Sequence, residues 1–228
     1  MTWYKRTLDV VFAGVLIVLL APVIVCIAWL IWRAQDGPVF YVAERMKTPT
    51  QGFGLWKFRT MTEVDCDGGV SGGDKRARIT AIGAKLRATR LDELPQLWNI
   101  LKGDISFVGP RPPLREYVDR FPDLYAQVLA SRPGVTGLAT LRFHRHESRI
   151  LARCRTAQQT DAVYARVCVP RKARLDLIYQ RNQSIGYDFR LALETAGTLL
   201  RVPPNTRRAF NPLNARPRGQ MAPRLTRP

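Results

Sequence analysis

From Val10 to Trp32 the chain reads VVFAGVLIVLLAPVIVCIAWLIW, without a single charge. Roughly 20 apolar residues suffice to cross a bilayer core as one helix. The run is too long for a cleaved signal peptide, and no small-x-small site follows it. Pro22 lies near its middle, where a proline removes a backbone hydrogen bond and crowds the preceding turn. Both flanks are basic, with Lys5 and Arg6 before the run and Arg33, Arg45 and Lys47 after it. A crossing helix should carry its basic residues mainly at one end. Equal basic flanks instead suit a re-entrant helix, broken at Pro22, that dips into the bilayer and returns to the same face. A kinked crossing helix is the alternative, because membrane helices tolerate proline. Trp3, Trp29 and Trp32 are expected at the membrane interface.

The chain has 36 Lys and Arg against 18 Asp and Glu, a formal net charge of +18. Such an excess says nothing of the fold but favours anionic partners: nucleic acid, anionic lipid or phosphorylated substrates. The basic residues are scattered, and no nucleic-acid-binding signature is present, which disfavours the first of these. Cys26, Cys66, Cys154 and Cys168 form no close pair, so neither a zinc site nor a disulfide framework is implied. Residues 62–77 are rich in Asp, Gly and Ser and read as a loop. Its Asp65, Asp67 and Asp74 lack the spacing and closing glutamate of a calcium loop. Arg171–Arg201 reads as one or two amphipathic helices, facing a core or the bilayer interface. The Pro/Arg-rich tail from Val202 is expected to be disordered, with arginines suited to anionic headgroups.

The chemistry centres on RLDELPQL, Arg90–Leu97. Leu94, Leu97, Trp98 and Leu101 recur at helical spacing. Pro95 fits only a first turn, so the spacing predicts a helix starting near Asp92 or Glu93, with Asp92 as its N-cap. Read locally, the two acids are then a cap and a dipole-complementing glutamate. Read as chemistry, they suit phosphoryl transfer. One carboxylate can hold magnesium, which takes oxygen ligands, and the other can attack phosphorus. Arg87 and Arg111 can clamp phosphoryl oxygens. Arg111 lies in Gly109-Pro110-Arg111-Pro112, where prolines on both sides stiffen its backbone. A membrane-tethered nucleic-acid-binding protein and a non-catalytic scaffold are the competing classes.

The motifs occur in a particular order: KRxxDV before the apolar run, DGPVF, ER, WKFRTM, RIT, LRxxxLDELPQLWNILKGDISFVGPRP and RPGVTG. In that order they resemble the bacterial sugar transferases, the monotopic phosphoglycosyl transferases that act on polyprenyl phosphate. The resemblance covers about residues 5–200, and the block Leu86–Pro112 is its most specific part. It implies transfer of a phosphosugar from a UDP-sugar to undecaprenyl phosphate with release of UMP, at the cytoplasmic face of the bacterial inner membrane. By the same resemblance Asp92 is the covalent nucleophile, and Glu93 helps hold Mg2+. Arg87 and Arg111 bind phosphate, and Lys57 and Arg59 face the lipid phosphate. Glu44 either pairs with a basic neighbour or enters the site. The resemblance also implies a re-entrant hairpin broken at a Ser-Pro pair.

Ala21 takes the place of that serine here, and LATLRFHRHE replaces the family's usual stretch after Gly137, which leaves donor specificity open. His144 and His146 read as surface or nucleotide-contacting residues rather than metal ligands. The expected fold is mainly α with a little β. A re-entrant membrane hairpin (1–34) precedes a cytoplasmic-face globular domain with interfacial helices (35–201) and the tail (202–228). The size is compatible with a homodimer on an anionic membrane.

Overall fold

The protein is described by a computed structural model over residues 2–64, 69–70 and 72–200. Asp65, Cys66 and Asp67 of the 62–77 loop, and the tail from Val202, lie outside the described residues. Helix α1 runs from Trp3 to Ala34. A hairpin follows, β1 (Phe40–Met46) antiparallel to β2 (Gly52–Phe58). Next come α2 (Ala81–Thr89), α3 (Gln96–Lys102) and β3 (Ser106–Val108). Short helices α4 (Arg115–Arg120) and α5 (Pro122–Val128) lead to β4 (Gly134–Thr136), which pairs parallel to β3. The chain ends in α6 (Leu138–Leu151), α7 (Ala157–Val163), a π-turn at Tyr164–Cys168, α8 (Val169–Arg181) and α9 (Ile185–Leu200). The mainly helical class with little sheet is as expected.

The helical assignment carries on through Pro22, where a break is expected: α1 is one continuous span of 32 residues, about 48 Å of helix axis at 1.5 Å per residue. Ala21 is a strong helix former, and packing of α1 against the body offsets the lost hydrogen bond and the crowding at the proline. What positions α1 is a stripe down one side. Lys5, Asp9, Ala13, Leu16, Leu20, Ile24, Ile27 and Ile31 are buried or half-buried at three- and four-residue spacing, the signature of one helix face. Ala13 packs with Leu97, Ile100 and Ile105, while Ile27 and Ile31 pack with Phe58 and Leu86. Both ends are tied to the same globular body. Lys5 donates to the Val108 carbonyl (3.1 Å) and pairs with Asp188, and Arg6 donates to the carbonyls of Ile100 (2.6 Å) and Leu101 (2.7 Å). At the far end Gln35 Nε2 donates to Thr80 Oγ1 (3.1 Å). The opposite face is apolar and open, with Val18 74%, Leu19 67% and Val25 66% exposed.

A second core joins α4–α8 around Tyr117, Tyr125, Phe143, Tyr164 and Val169. The single amphipathic helix that 115–130 suggests is interrupted at Phe121-Pro122, because proline must begin a new first turn. The described part of Arg171–Arg201, up to Leu200, forms two helices, as one of the two sequence readings held. Two packing devices then place the site. Asn99, fully buried, accepts from Trp56 N (3.0 Å) and donates to Gly54 O (2.8 Å) and Asp104 Oδ2 (3.1 Å), tying α3 to β2. The GPRP and RPGVTG motifs meet backbone to backbone. A Cβ on Gly134 would lie 2.2 Å from Gly109 N, and one on Gly137 would lie 2.2 Å from Gly109 O. Only glycine permits that approach, and it holds the stiff Arg111 segment against the loop that follows β4.

Candidate active site

The acid pair does not cap a helix. Thr80 caps α2 by accepting from Gly83 N (3.0 Å), and Arg90 ends that helix in the left-handed conformation at φ 56°, ψ 18°. Leu91–Glu93 form a single 3-10 turn, and α3 begins only at Gln96, with Pro95 at its N-cap. The expected start near Asp92 is thus corrected by one tight turn. Arg90 reverses the chain, and among the described residues no backbone N–H donates to either carboxylate of the turn. The capping reading of Asp92 falls with it, since no hydrogen bond from a described residue reaches that carboxylate.

The two acids differ sharply. Glu93 Oε1 accepts from Arg111 (2.7 Å) and Lys57 (3.3 Å), and Oε2 accepts from Arg90 (2.6 Å). Burial alone would raise its carboxyl pKa, but Arg111, Lys57 and Arg90 together hold it well below the usual carboxylate range. Asp92 is 8% exposed. Burial, then the neighbouring Glu93 charge, push its carboxyl up, against opposition from Lys57, Arg87 and Arg111. A raised pKa marks a more basic and therefore more nucleophilic carboxylate. Lys57 is lowered to about 8, because burial outweighs the support of Glu93. Arg111 is raised further by Glu93.

These groups line one cleft of about 420 Å³. Of the residues singled out in the sequence, Asp92, Glu93, Lys57, Arg59, Arg87 and Arg111 all lie on its walls. Arg87 is aimed by Thr60, whose hydroxyl accepts from its Nε at 2.8 Å. Arg59 is 5% exposed, with one guanidinium nitrogen 3.7 Å from Glu63 and another donating to Gln35 O at 3.4 Å. Glu44 does not join them. It is exposed and pairs with Arg115 (2.7 Å), because side chains alternate along β1 and Tyr41, Ala43 and Arg45 take the cleft-facing positions.

Arg45 and Arg90 join the cleft walls, as do Tyr125 of α5, Glu147 of α6, Tyr164 of the π-turn, and Lys172 and Asp176 of α8. Their sequence signal was weak, since they come from segments far apart in the chain. His144 lies on the cleft, whereas His146 contacts Arg171 outside it (3.2 Å).

Magnesium takes oxygen ligands and is usually held by one or two carboxylates together with substrate phosphates. Asp92 fits that role, with oxygens that accept no hydrogen bond among the described residues. Glu93 does not fit as it stands, because both its oxygens are engaged by cations. No cluster of three or more His, Cys, Asp or Glu among the described residues could hold a metal unaided. Lys57, Arg90 and Arg111 supply the positive charge around Glu93 in this structure.

Comparison with known proteins bears on this geometry. The sequence profile described as "Bacterial sugar transferase" matches residues 1–202. The chain is 32% identical over 167 residues to a UDP-glucose:undecaprenyl-phosphate glucose-1-phosphate transferase of Klebsiella pneumoniae, covering 72% of this chain and 36% of that protein. It is 32% identical over 202 residues to a UDP-N-acetylgalactosamine-undecaprenyl-phosphate N-acetylgalactosaminephosphotransferase of Aeromonas hydrophila, covering 86% of this chain and 43% of that protein. A glucose-1-phosphate transferase of Caulobacter vibrioides is 34% identical over 204 residues, 86% of this chain and 69% of its own length. The chain thus spans less than half the length of the first two.

Proposed function

This chain belongs to the bacterial sugar transferase family, and on that footing we propose that it transfers a phosphosugar from a UDP-sugar to undecaprenyl phosphate in two half-reactions. The observation that carries the reading is the division of labour in the acid pair. Glu93 is spent on three cations, and Asp92 beside it is left with open oxygens in an arginine-lined cleft. An Asp92 oxygen attacks the sugar-bearing phosphorus of the donor. The bond from that phosphorus to the bridging oxygen breaks, and UMP leaves with the bond's electron pair. A phosphate oxygen of the lipid acceptor then attacks the same phosphorus, releases the Asp92 carboxylate and forms a lipid diphosphosugar. Arg111 and Lys57, ordered by Glu93, and Arg87, ordered by Thr60, orient the phosphoryl oxygens and neutralise their charge. Magnesium, held by Asp92 and the donor's phosphates, would supply further neutralisation. Incubating the purified chain with UDP-sugar, undecaprenyl phosphate and Mg2+ tests the reading. UMP release that needs the donor is expected, and its absence with every UDP-sugar would count against it.

The lipid side of the reading rests on α1. A helix with one stripe packed along the globular body and both ends hydrogen-bonded to it leaves its outer apolar face for lipid. Helix α9 adds Ile185, Phe189 and Leu193, exposed at four-residue spacing, as an interfacial helix would. An apolar cavity of about 190 Å³, walled by Leu16, Leu20, Leu97, Ile100, Phe107 and Val135, reaches from α1 to Arg90 and Glu93. That is a route for an acceptor arriving from the membrane. We place the body on the cytoplasmic face of the inner membrane, with both ends of α1, which are tied to that body, on that same side. Single cysteines at Thr2 and Asp36, in a chain otherwise free of cysteine, should both react with an impermeant maleimide in inside-out vesicles and neither in intact spheroplasts. Labelling from opposite sides would mean a crossing helix.

The lowered Lys57 pKa makes a pH prediction. Lys57 must be cationic to neutralise phosphate, and in the free enzyme it loses its proton near pH 8. The kcat/KM for UMP release should therefore fall on an alkaline limb near that pH. Lys57→Arg should retain part of the activity and remove the limb, since a guanidinium keeps its proton.

A further inference from the structure

Besides the phosphate-binding cations, the cleft wall carries a group that the proposed chemistry does not use. Asp176, on α8, lines the cleft and is 5% exposed. Its Oδ1 is buried without a hydrogen-bond partner, and the carboxylate makes no ion pair among the described residues. Tyr125 of α5, also buried and also on the cleft wall, has a hydroxyl with no hydrogen bond among the described residues. The nearby cation is already committed. Lys172, one helical turn before Asp176, donates to Glu147 Oε1 (2.9 Å) and to the Tyr164 hydroxyl (3.1 Å). The influence of Glu147 reaches back to Arg111. Asp176, Lys172, Glu147 and Arg111 thus line the same cleft as the acid pair. A buried carboxyl without a partner costs stability, and such a cost persists most readily where a ligand completes the hydrogen bonds.

Building on the function proposed above, we propose that Asp176 and the Tyr125 hydroxyl form the recognition end of the cleft for the hydroxyl groups of the donor's sugar. Carboxylate oxygens accept from adjacent hydroxyls, and a phenol both donates and accepts. The burial that pushes the Asp176 carboxyl up to about 7 also lets it serve as a donor at neutral pH. The phosphates need only the cations around Asp92 and Glu93, which read no sugar. Two relatives of equal identity to this chain are named for glucose and for N-acetylgalactosamine, so sugar choice is set outside features common to all three. A site built to hydrogen-bond a hydroxyl discriminates strongly against a donor that cannot complete it.

The test uses the full chain, wild type and as Asp176→Asn and Asp176→Leu. Each is assayed with UDP-glucose, UDP-galactose, UDP-N-acetylglucosamine and UDP-N-acetylgalactosamine. For the preferred donor, Asp176→Leu should lower kcat/KM about tenfold or more and compress the spread among the four. Inhibition by UMP, which lacks the sugar, should stay unchanged. The melting temperature should stay equal or rise, because an orphaned carboxyl has been removed. An unchanged donor ranking overturns the proposal, as does an equal weakening of UMP inhibition, which would place the uridine there instead. A loss of cooperative melting in both variants would make Asp176 structural and also overturn it. Sugar recognition is read independently of turnover by the melting shift each UDP-sugar produces. If the wild type releases no UMP, the transferase reading fails, while sugar-dependent shifts that vanish in Asp176→Leu still support this site.

Discussion

Asp92→Asn should reduce UMP release by a factor on the order of 10^3 or more and leave the protein at least as stable as the wild type. The substitution keeps the volume and removes the anionic oxygen that attacks phosphorus. No hydrogen bond from a described residue is lost with it. The stability half follows from the raised Asp92 carboxyl. A group whose folded pKa lies above its unfolded value, about 4, binds more protons when folded. The wild type therefore loses stability as pH rises from that value through the folded pKa. Asparagine does not titrate, so the melting temperature of the variant should pull ahead of the wild type over that window. Mass spectrometry on wild type incubated with donor and no acceptor should find the phosphosugar on residue 92, and the variant should carry none. An active Asn variant would remove Asp92 from the chemistry.

Glu93→Gln should do the opposite to the fold. It leaves Lys57, Arg90 and Arg111 packed together without their shared counter-charge, and breaking a buried ion pair typically costs about 3–5 kcal/mol. Here the carboxyl is depressed, so its stabilisation is present above the unfolded pKa and is lost as pH falls through the folded one. The gap in melting temperature between wild type and Glu93→Gln should therefore be wide at neutral pH and close in acid. Activity should fall as well, because Arg111 and Lys57 lose the anchor that aims them. The alkaline limb set by Lys57 should move below pH 8, since Glu93 supports its proton. If the two neighbouring substitutions destabilise alike, the acids share a structural role and their division of labour is refuted.

Much of the site was legible in the linear order. Arg87, Asp92, Glu93 and Arg111 fall within one short block, and Lys57 and Arg59 belong to a compact aromatic-basic motif. Local grammar erred where one residue overrode it. Periodicity and Pro95 pointed to a helix starting near Asp92 or Glu93, but the left-handed Arg90 inserted a 3-10 turn. Likewise Pro22 signalled a break, and the helix runs through it because a full stripe of side chains holds it to the body.

The apolar run, the basic balance and the acid pair with its arginines follow from the sequence alone, because hydrophobicity, charge and reactivity belong to residue types. Only the tertiary structure decided that Glu93 is bound by three cations while Asp92 stays open. Lys57 and Arg111 come from β2 and from the segment after β3, and no local spacing encodes their meeting. Strand alternation in β1 sent Glu44 outward, and packing between α5 and α8 buried Asp176 without a hydrogen bond among the described residues. Those outcomes depend on which distant elements exclude water from which side chain, and that is settled only when the chain closes on itself.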